Sequence, residues 1–270
     1  MTLKVREYSP EGGEGRGTDD GSPTIVILHG LFGSGDNWHA IARELSRHYR
    51  VLLPDLPNHG DSPHAEDMSY ATMAGALAET MTAYSVEQAC LVGHSMGGKV
   101  AMTLALTRPE RVSALVVVDI APRSYPAYHK DIIETMRSVP VKTLQARSKA
   151  DGYLAEGIPH RGVRAFLMKN LVKSPDGEGY AWRLNLPVIA GQYESISSWP
   201  APEGRYEGPA LFVAGGRSPY MKGVDRGELA PLFPGARMER IADAGHWVHA
   251  EAREEFLGIL SDFLREELAT

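Results

Sequence analysis

The chain has a single cysteine in 270 residues, Cys90, so no disulfide can form within it. Because Cys90 falls inside an apolar run, a buried and inert thiol is expected there. No stretch of about eighteen consecutive apolar residues occurs, which leaves no candidate for a membrane-spanning helix. Residues 1–7 lack the apolar core of a signal peptide, and the expected compartment is the cytoplasm. Basic residues form no stripe or patch: 28 Lys and Arg stand against 34 Asp and Glu, interspersed, for a net charge of −6. This argues against a nucleic-acid footprint and a polybasic membrane anchor, and leaves small molecules as the expected partners. Repeats and low-complexity tracts are missing too, apart from a Gly-rich acidic segment over 11–21 that reads as a flexible connection without function.

What remains is an alternation of strand and helix signals. Short apolar runs recur at 24–28, 50–53, 89–92, 114–120 and 209–214, a length that suits parallel strands covered on both faces. Between them, residues 36–48 place Trp38, Ile41 and Leu45 on one side of a helix. Residues 69–84 offer a Ser cap followed by Tyr70, Met73, Leu77 and Met81 at helical spacing. The alternation predicts an α/β fold with a mostly parallel central sheet flanked by helices. It breaks over 123–205, a region rich in Tyr, Pro, His and Trp with short helical stretches at 130–138 and 163–171. That region reads as an insertion, with residues 1–122 and 206–270 forming the core and 251–268 a closing helix.

The chemistry-bearing motif is Gly93-His94-Ser95-Met96-Gly97-Gly98. It follows the apolar run 89–92 and precedes the helical composition of 99–106, so G-x-S-x-G has the strand-turn-helix context of a nucleophile elbow. Ser95 is the candidate nucleophile. A serine hydroxyl is weakly nucleophilic at neutral pH and needs a base, an orienting acid and oxyanion donors. His246 is the preferred base, because its Gly-flanked loop after the strand predicted at 237–241 can carry an imidazole over the elbow. His94 is adjacent to Ser95 and cannot reach its Oγ usefully, while His29, His59 and His64 read as structural. One oxyanion donor is the N–H of Met96. The other comes from His29-Gly30-Leu31-Phe32-Gly33, with Leu31 preferred and Phe32 open.

The acid is less direct. In many such chains it follows the strand after the insertion, but that strand ends here in Gly215-Gly216-Arg217-Ser218, with serine in the acid's place. Asp119, at the end of the run 114–120, lies at the sheet edge where open α/β folds build their sites and keeps the order Ser, Asp, His. Asp225 is the competitor.

Taken together, the stretches 28–34, 57–64, 93–99, 118–122, 215–220 and 244–251 resemble the α/β-hydrolase superfamily, and within it the YbfF-type bacterial esterases and their mitochondrial abhydrolase relatives. The resemblance implies that the acid is the strand-end Asp119. It also implies hydrolysis of short to medium acyl esters or acyl-CoA thioesters, and that 123–205 is the family's cap. The expected enzyme is a serine carboxylic-ester hydrolase using no metal and no cofactor, with an acyl ester or thioester as its small-molecule partner. Phe32, Phe166, Trp182, Tyr193 and Trp247 are expected to touch substrate, with Tyr125 and Tyr128 adding aromatic surface from the cap. Thioesterase, perhydrolase or lyase chemistry on the same fold is the alternative, and a catalytically silent binding protein a remote one. Dehalogenase chemistry is disfavoured, since it needs an aspartate where Ser95 stands.

Overall fold

The computed structural model describes residues 1–10, the backbone of 13–14, and 22–268. The rest of the connection over 11–21 lies outside the described residues. Strands β1 (Val5–Ser9) and β2 (Gly13–Glu14) precede β3 (Thr24–Leu28), after which a 3-10 turn leads into α1 (His39–Leu45). Then come β4 (Arg50–Pro54), α2 (Tyr70–Ala83), β5 (Ala89–His94), α3 (Met96–Thr107) and β6 (Val112–Val118). The next segment carries α4 (Lys130–Ser138), α5 (Arg147–Ala155), α6 (Arg161–Met168), the strands β7 (Leu171–Lys173) and β8 (Tyr180–Trp182), α7 (Leu186–Gly191) and α8 (Tyr193–Ser197). The chain returns to the sheet with β9 (Ala210–Gly215), α9 (Arg226–Leu229) and β10 (Ala236–Ile241), and closes with α10 (Val248–Glu251) and α11 (Arg253–Leu268).

Among the described residues the main sheet has the order β10-β9-β6-β5-β3-β4-β1-β2. Neighbours from β10 to β4 pair in parallel, and β1 and β2 extend the sheet antiparallel. This is the α/β architecture that the strand and helix signals predict. Side-chain alternation explains why the central strands read as unbroken apolar runs. Ile25 and Ile27 of β3 point to the layer of α1 and α11, joining Ile41, Phe256 and Leu260. Val26 and Leu28 point the other way, toward Met73 and Leu77 of α2 and Val100 of α3. With helices on both faces, neither set of side chains meets water. Ser69 caps α2 as its position suggests, its hydroxyl accepting the Thr72 N–H at 3.2 Å. No helix among the described residues is long and apolar enough to cross a membrane.

Two details differ from the sequence reading. Strand β6 stops at Val118, because Asp119 adopts a φ of 53° that no strand accommodates. The segment between β6 and β9 is not purely helical, since β7 and β8 pair as a hairpin with Lys173 opposite Tyr180. Its turn contains Asp176-Gly177 and Gly179, both glycines at positive φ. An Asp-Gly pair is a hairpin signal, here obscured because each strand is only 3 residues long.

Packing of α3 against the sheet permits no side chain at Gly97, where a Cβ would lie 2.6 Å from the carbonyl oxygens of both Leu28 and His29. Gly97→Ala should therefore destabilise by about 1–3 kcal/mol, the usual cost of overpacking. Gly75, within α2, has no heavy atom near its own Cβ position, and Gly75→Ala should stabilise by about 0.5–1 kcal/mol. Thermal melts of both variants check the pair. A tolerated Gly97→Ala would mean that α3 sits further from the sheet.

Candidate active site

Ser95 lies between β5 and α3 with φ 52° and ψ −117°, a region an L-residue occupies only under constraint. The constraint is steric closeness of strand and helix: a Cβ on Gly93 would come within 2.4 Å of the Gly97 carbonyl oxygen. The turn lifts Ser95 out of the sheet into partial exposure while its neighbours stay buried. Met96 begins α3, so its N–H is among those an α-helix leaves without an intrahelical acceptor.

Asp119, directly after β6, has no exposed surface. Its Oδ1 accepts the Gly215 N–H at 2.8 Å, and its Oδ2 accepts both the Ser218 hydroxyl and the His246 Nδ1–H, the latter at 2.7 Å. Ser218, at the position after β9, thus donates to Asp119, which lies across from it just past the end of β6. Asp225 does something else, capping α9 by accepting the Glu228 N–H at 3.0 Å.

The loop carrying His246 is pinned on several sides. Glu251 accepts the N–H groups of Gly245 at 2.8 Å and Trp247 at 3.3 Å. His94 Nε2–H donates to the His246 carbonyl at 2.8 Å. Tyr220 stacks on the His246 ring at 4.2 Å. Because the Nδ1–H of His246 is committed to a carboxylate, an acceptor, its Nε2 carries the lone pair. Ser95 and His246 line the same cavity.

Two further buried histidines hold the loop after β3. His29 Nε2 accepts the Leu56 N–H at 2.9 Å, and His59 Nε2 accepts the Phe32 N–H at 3.2 Å. Asn170 fixes the other side of Phe32 by donating to its carbonyl at 2.8 Å. The Phe32 N–H is therefore already engaged. Leu31 N–H has no partner among the described residues.

Two lobes flank Ser95, sharing Leu31, Ser95, His129 and Tyr220 as common wall. Counting the space at its mouth that is open to solvent, the larger spans about 720 Å³ and includes Phe32, Phe166 and Trp247, with Ile132 and Val163 from the segment between β6 and β9. The smaller, about 370 Å³, includes Met96 and Tyr193. Trp182 lines neither. Its indole N–H donates to the Met136 carbonyl at 3.1 Å, so the ring of this β8 residue packs on α4 rather than facing the cavity. Tyr128 is 54% exposed, and Tyr125 directs its hydroxyl to the Tyr220 carbonyl at 2.9 Å. Sequence reasoning passed over Tyr220, His129 and His94 as parts of this site. Tyr220 had a signal in its closeness to Ser218 and His94 in its place beside Ser95, whereas His129 had none beyond being a histidine.

Residues 23–252 match the family model described as alpha/beta hydrolase fold. The sn-1-specific diacylglycerol lipase ABHD11 of Mus musculus is 41% identical over 250 residues, spanning 90% of this chain and 81% of that protein. Esterase YbfF of Escherichia coli is 39% identical over 246 residues, spanning 90% of this chain and 93% of its own. Among solved structures, a marine microorganism esterase superposes with a TM-score of 0.91 at 36% identity, covering 98% of this chain and 100% of the other.

The histidines around the site make a prediction about stability. Burial pushes the imidazoles of His29 and His129 down to about 4 and those of His59 and His249 to about 3, and holds His94 well below the usual value. Each is neutral in the folded chain yet takes up a proton near pH 6.5 once unfolded. Their contribution is fully present above pH 6.5 and is lost as pH falls toward the folded values, by about 2 kcal/mol per histidine at pH 5. Urea midpoints measured from pH 7.5 to 5 should fall steeply below 6.5. A midpoint that holds steady across that range contradicts the assignment.

Proposed function

The chain belongs to the alpha/beta hydrolase fold family, and on that premise we propose that it is a serine carboxylic-ester hydrolase acting on short to medium acyl esters through an acyl-enzyme. Relatives near 40% identity are named esterase and lipase, in agreement with an enzyme of the carboxylic-ester hydrolase class. The observation that carries the serine mechanism is the 2.7 Å contact between His246 Nδ1 and the fully buried Asp119, beside a strained Ser95.

In this reading Ser95 Oγ attacks the acyl carbon as His246 Nε2 takes its proton. The carbonyl electron pair moves to oxygen, and the N–H groups of Met96 and Leu31 receive the oxyanion. His246 then protonates the departing alcohol, leaving the acyl group on Ser95. A water molecule, deprotonated by the same imidazole, attacks that acyl carbon and releases the acid. Asp119 holds the imidazole tautomer throughout and stabilises the imidazolium. Residues 123–205 act as a cap over a core of 1–122 and 206–270, with Phe32, Phe166 and Trp247 lining the larger lobe. Tyr193 lines the smaller.

Ser95→Ala should lower turnover of p-nitrophenyl esters by at least about a thousandfold without changing the melting temperature. Asp119→Asn should lower kcat on the order of ten-thousandfold at neutral pH, and Asp225→Asn should change it little. The opposite ranking of the two aspartates contradicts the proposal. Assays on matched acyl-CoA thioesters separate the ester reading from thioesterase chemistry, which is indicated if only the thioesters turn over.

A further inference from the structure

The smaller lobe contains a group that ester hydrolysis as described does not use. Lys99, one turn along α3 from Ser95, is 2% exposed. Its Nζ donates to the carbonyls of Ser197 at 3.1 Å and Ser198 at 2.7 Å, at the end of α8. The ammonium also sits over the rings of Tyr70 at 5.4 Å and Tyr125 at 5.1 Å. An ammonium has three N–H donors, and these contacts satisfy two. No carboxylate pairs with it among the described residues, and neither Asp nor Glu lines the lobe. Desolvation with no opposing charge lowers its pKa to about 7.

A buried charge without a counter-ion is costly, and an apolar side chain of similar length would fill the space without that cost. The phenols that share the lobe are already occupied. Tyr70 donates to the Ile196 carbonyl at 2.5 Å, Tyr125 to that of Tyr220 at 2.9 Å, and Tyr193 pairs with His129 Nδ1 at 2.9 Å. What the lobe offers an incoming group is one cation with a spare donor, ringed by aromatic faces, on the helix that begins directly after the candidate nucleophile. We propose that this lobe is a subsite for a carboxylate carried on one arm of the substrate, with Lys99 as its counter-ion. The inference rests on the ester-hydrolase reading for its reaction, but its binding half can be measured without turnover.

Two pairs of esters test it, one for each arm. They are p-nitrophenyl hydrogen adipate against its methyl ester, and 4-carboxyphenyl butyrate against its methyl ester. In one pair the carboxylate should be favoured in kcat/KM by about tenfold or more, the scale of a charge-assisted hydrogen bond. Lys99→Met should remove that preference, and Lys99→Arg should keep part of it. Expressing the result as a ratio within each pair cancels any general loosening of the cap. Calorimetry of the Ser95→Ala protein with adipate and with 1,6-hexanediol reads binding alone, and adipate should bind at least about tenfold tighter. This arm needs no Lys99 variant to fold. If no ester is hydrolysed but adipate binds and Lys99→Met abolishes it, the reaction assignment fails and the subsite stands. Carboxylates disfavoured in both pairs, a preference that survives Lys99→Met, or equal binding of adipate and the diol overturns the subsite.

Discussion

A carboxylate with no exposed surface must be satisfied by donors or it destabilises the fold that buries it. Asp119 meets this demand with one donor each from Gly215, Ser218 and His246. Those residues belong to the end of β9, the turn after it, and the loop after β10. The carboxylate therefore fixes two separate pieces of chain relative to β6, and the imidazole of His246 inherits its position from that arrangement. Asp119 is a structural anchor first, and the place proposed for it beside a base follows from the anchoring.

Neutral histidines do the equivalent work on the other side of Ser95. His29 and His59 accept backbone N–H groups of the loops after β4 and β3, and His94 donates to the His246 carbonyl. A neutral imidazole offers one donor and one acceptor at fixed angles, which suits it to bridging backbone segments in a dry interior. Burial keeps these rings uncharged. The same residue type appears here as scaffold and as candidate base, and the difference lies in the partner: backbone groups in one case, a carboxylate in the other.

Much of this architecture is legible in the amino-acid sequence. The elbow around Ser95 is legible because the crossing of β5 and α3 tolerates only glycine at its flanks, and sterics of that kind leave a sequence pattern. The parallel sheet is legible because strands covered on both faces must be apolar throughout. Asp119 is the preferred acid from sequence because Ser218 occupies the alternative position, although Asp225 stays a competitor there. The donation from Ser218 to Asp119 was not readable, since it depends on β6 and β9 being neighbours in space. Trp182 misled for a related reason: an aromatic residue in a cap can face either the cavity or the cap's own packing, and its partner, the Met136 carbonyl, is a backbone group without a sequence signature. The hairpin of β7 and β8 was hidden by its brevity.

The proposed chemistry turns on acylation of the Oγ of the strained serine at the elbow. It is tested most directly by treating the protein with a p-nitrophenyl phosphonate and locating the adduct by peptide mass spectrometry. Stoichiometric loss of activity with the phosphonyl group on Ser95 is expected, with slow or absent labelling in the Asp119→Asn protein. An adduct on another residue, or full activity after Ser95 is modified, contradicts it.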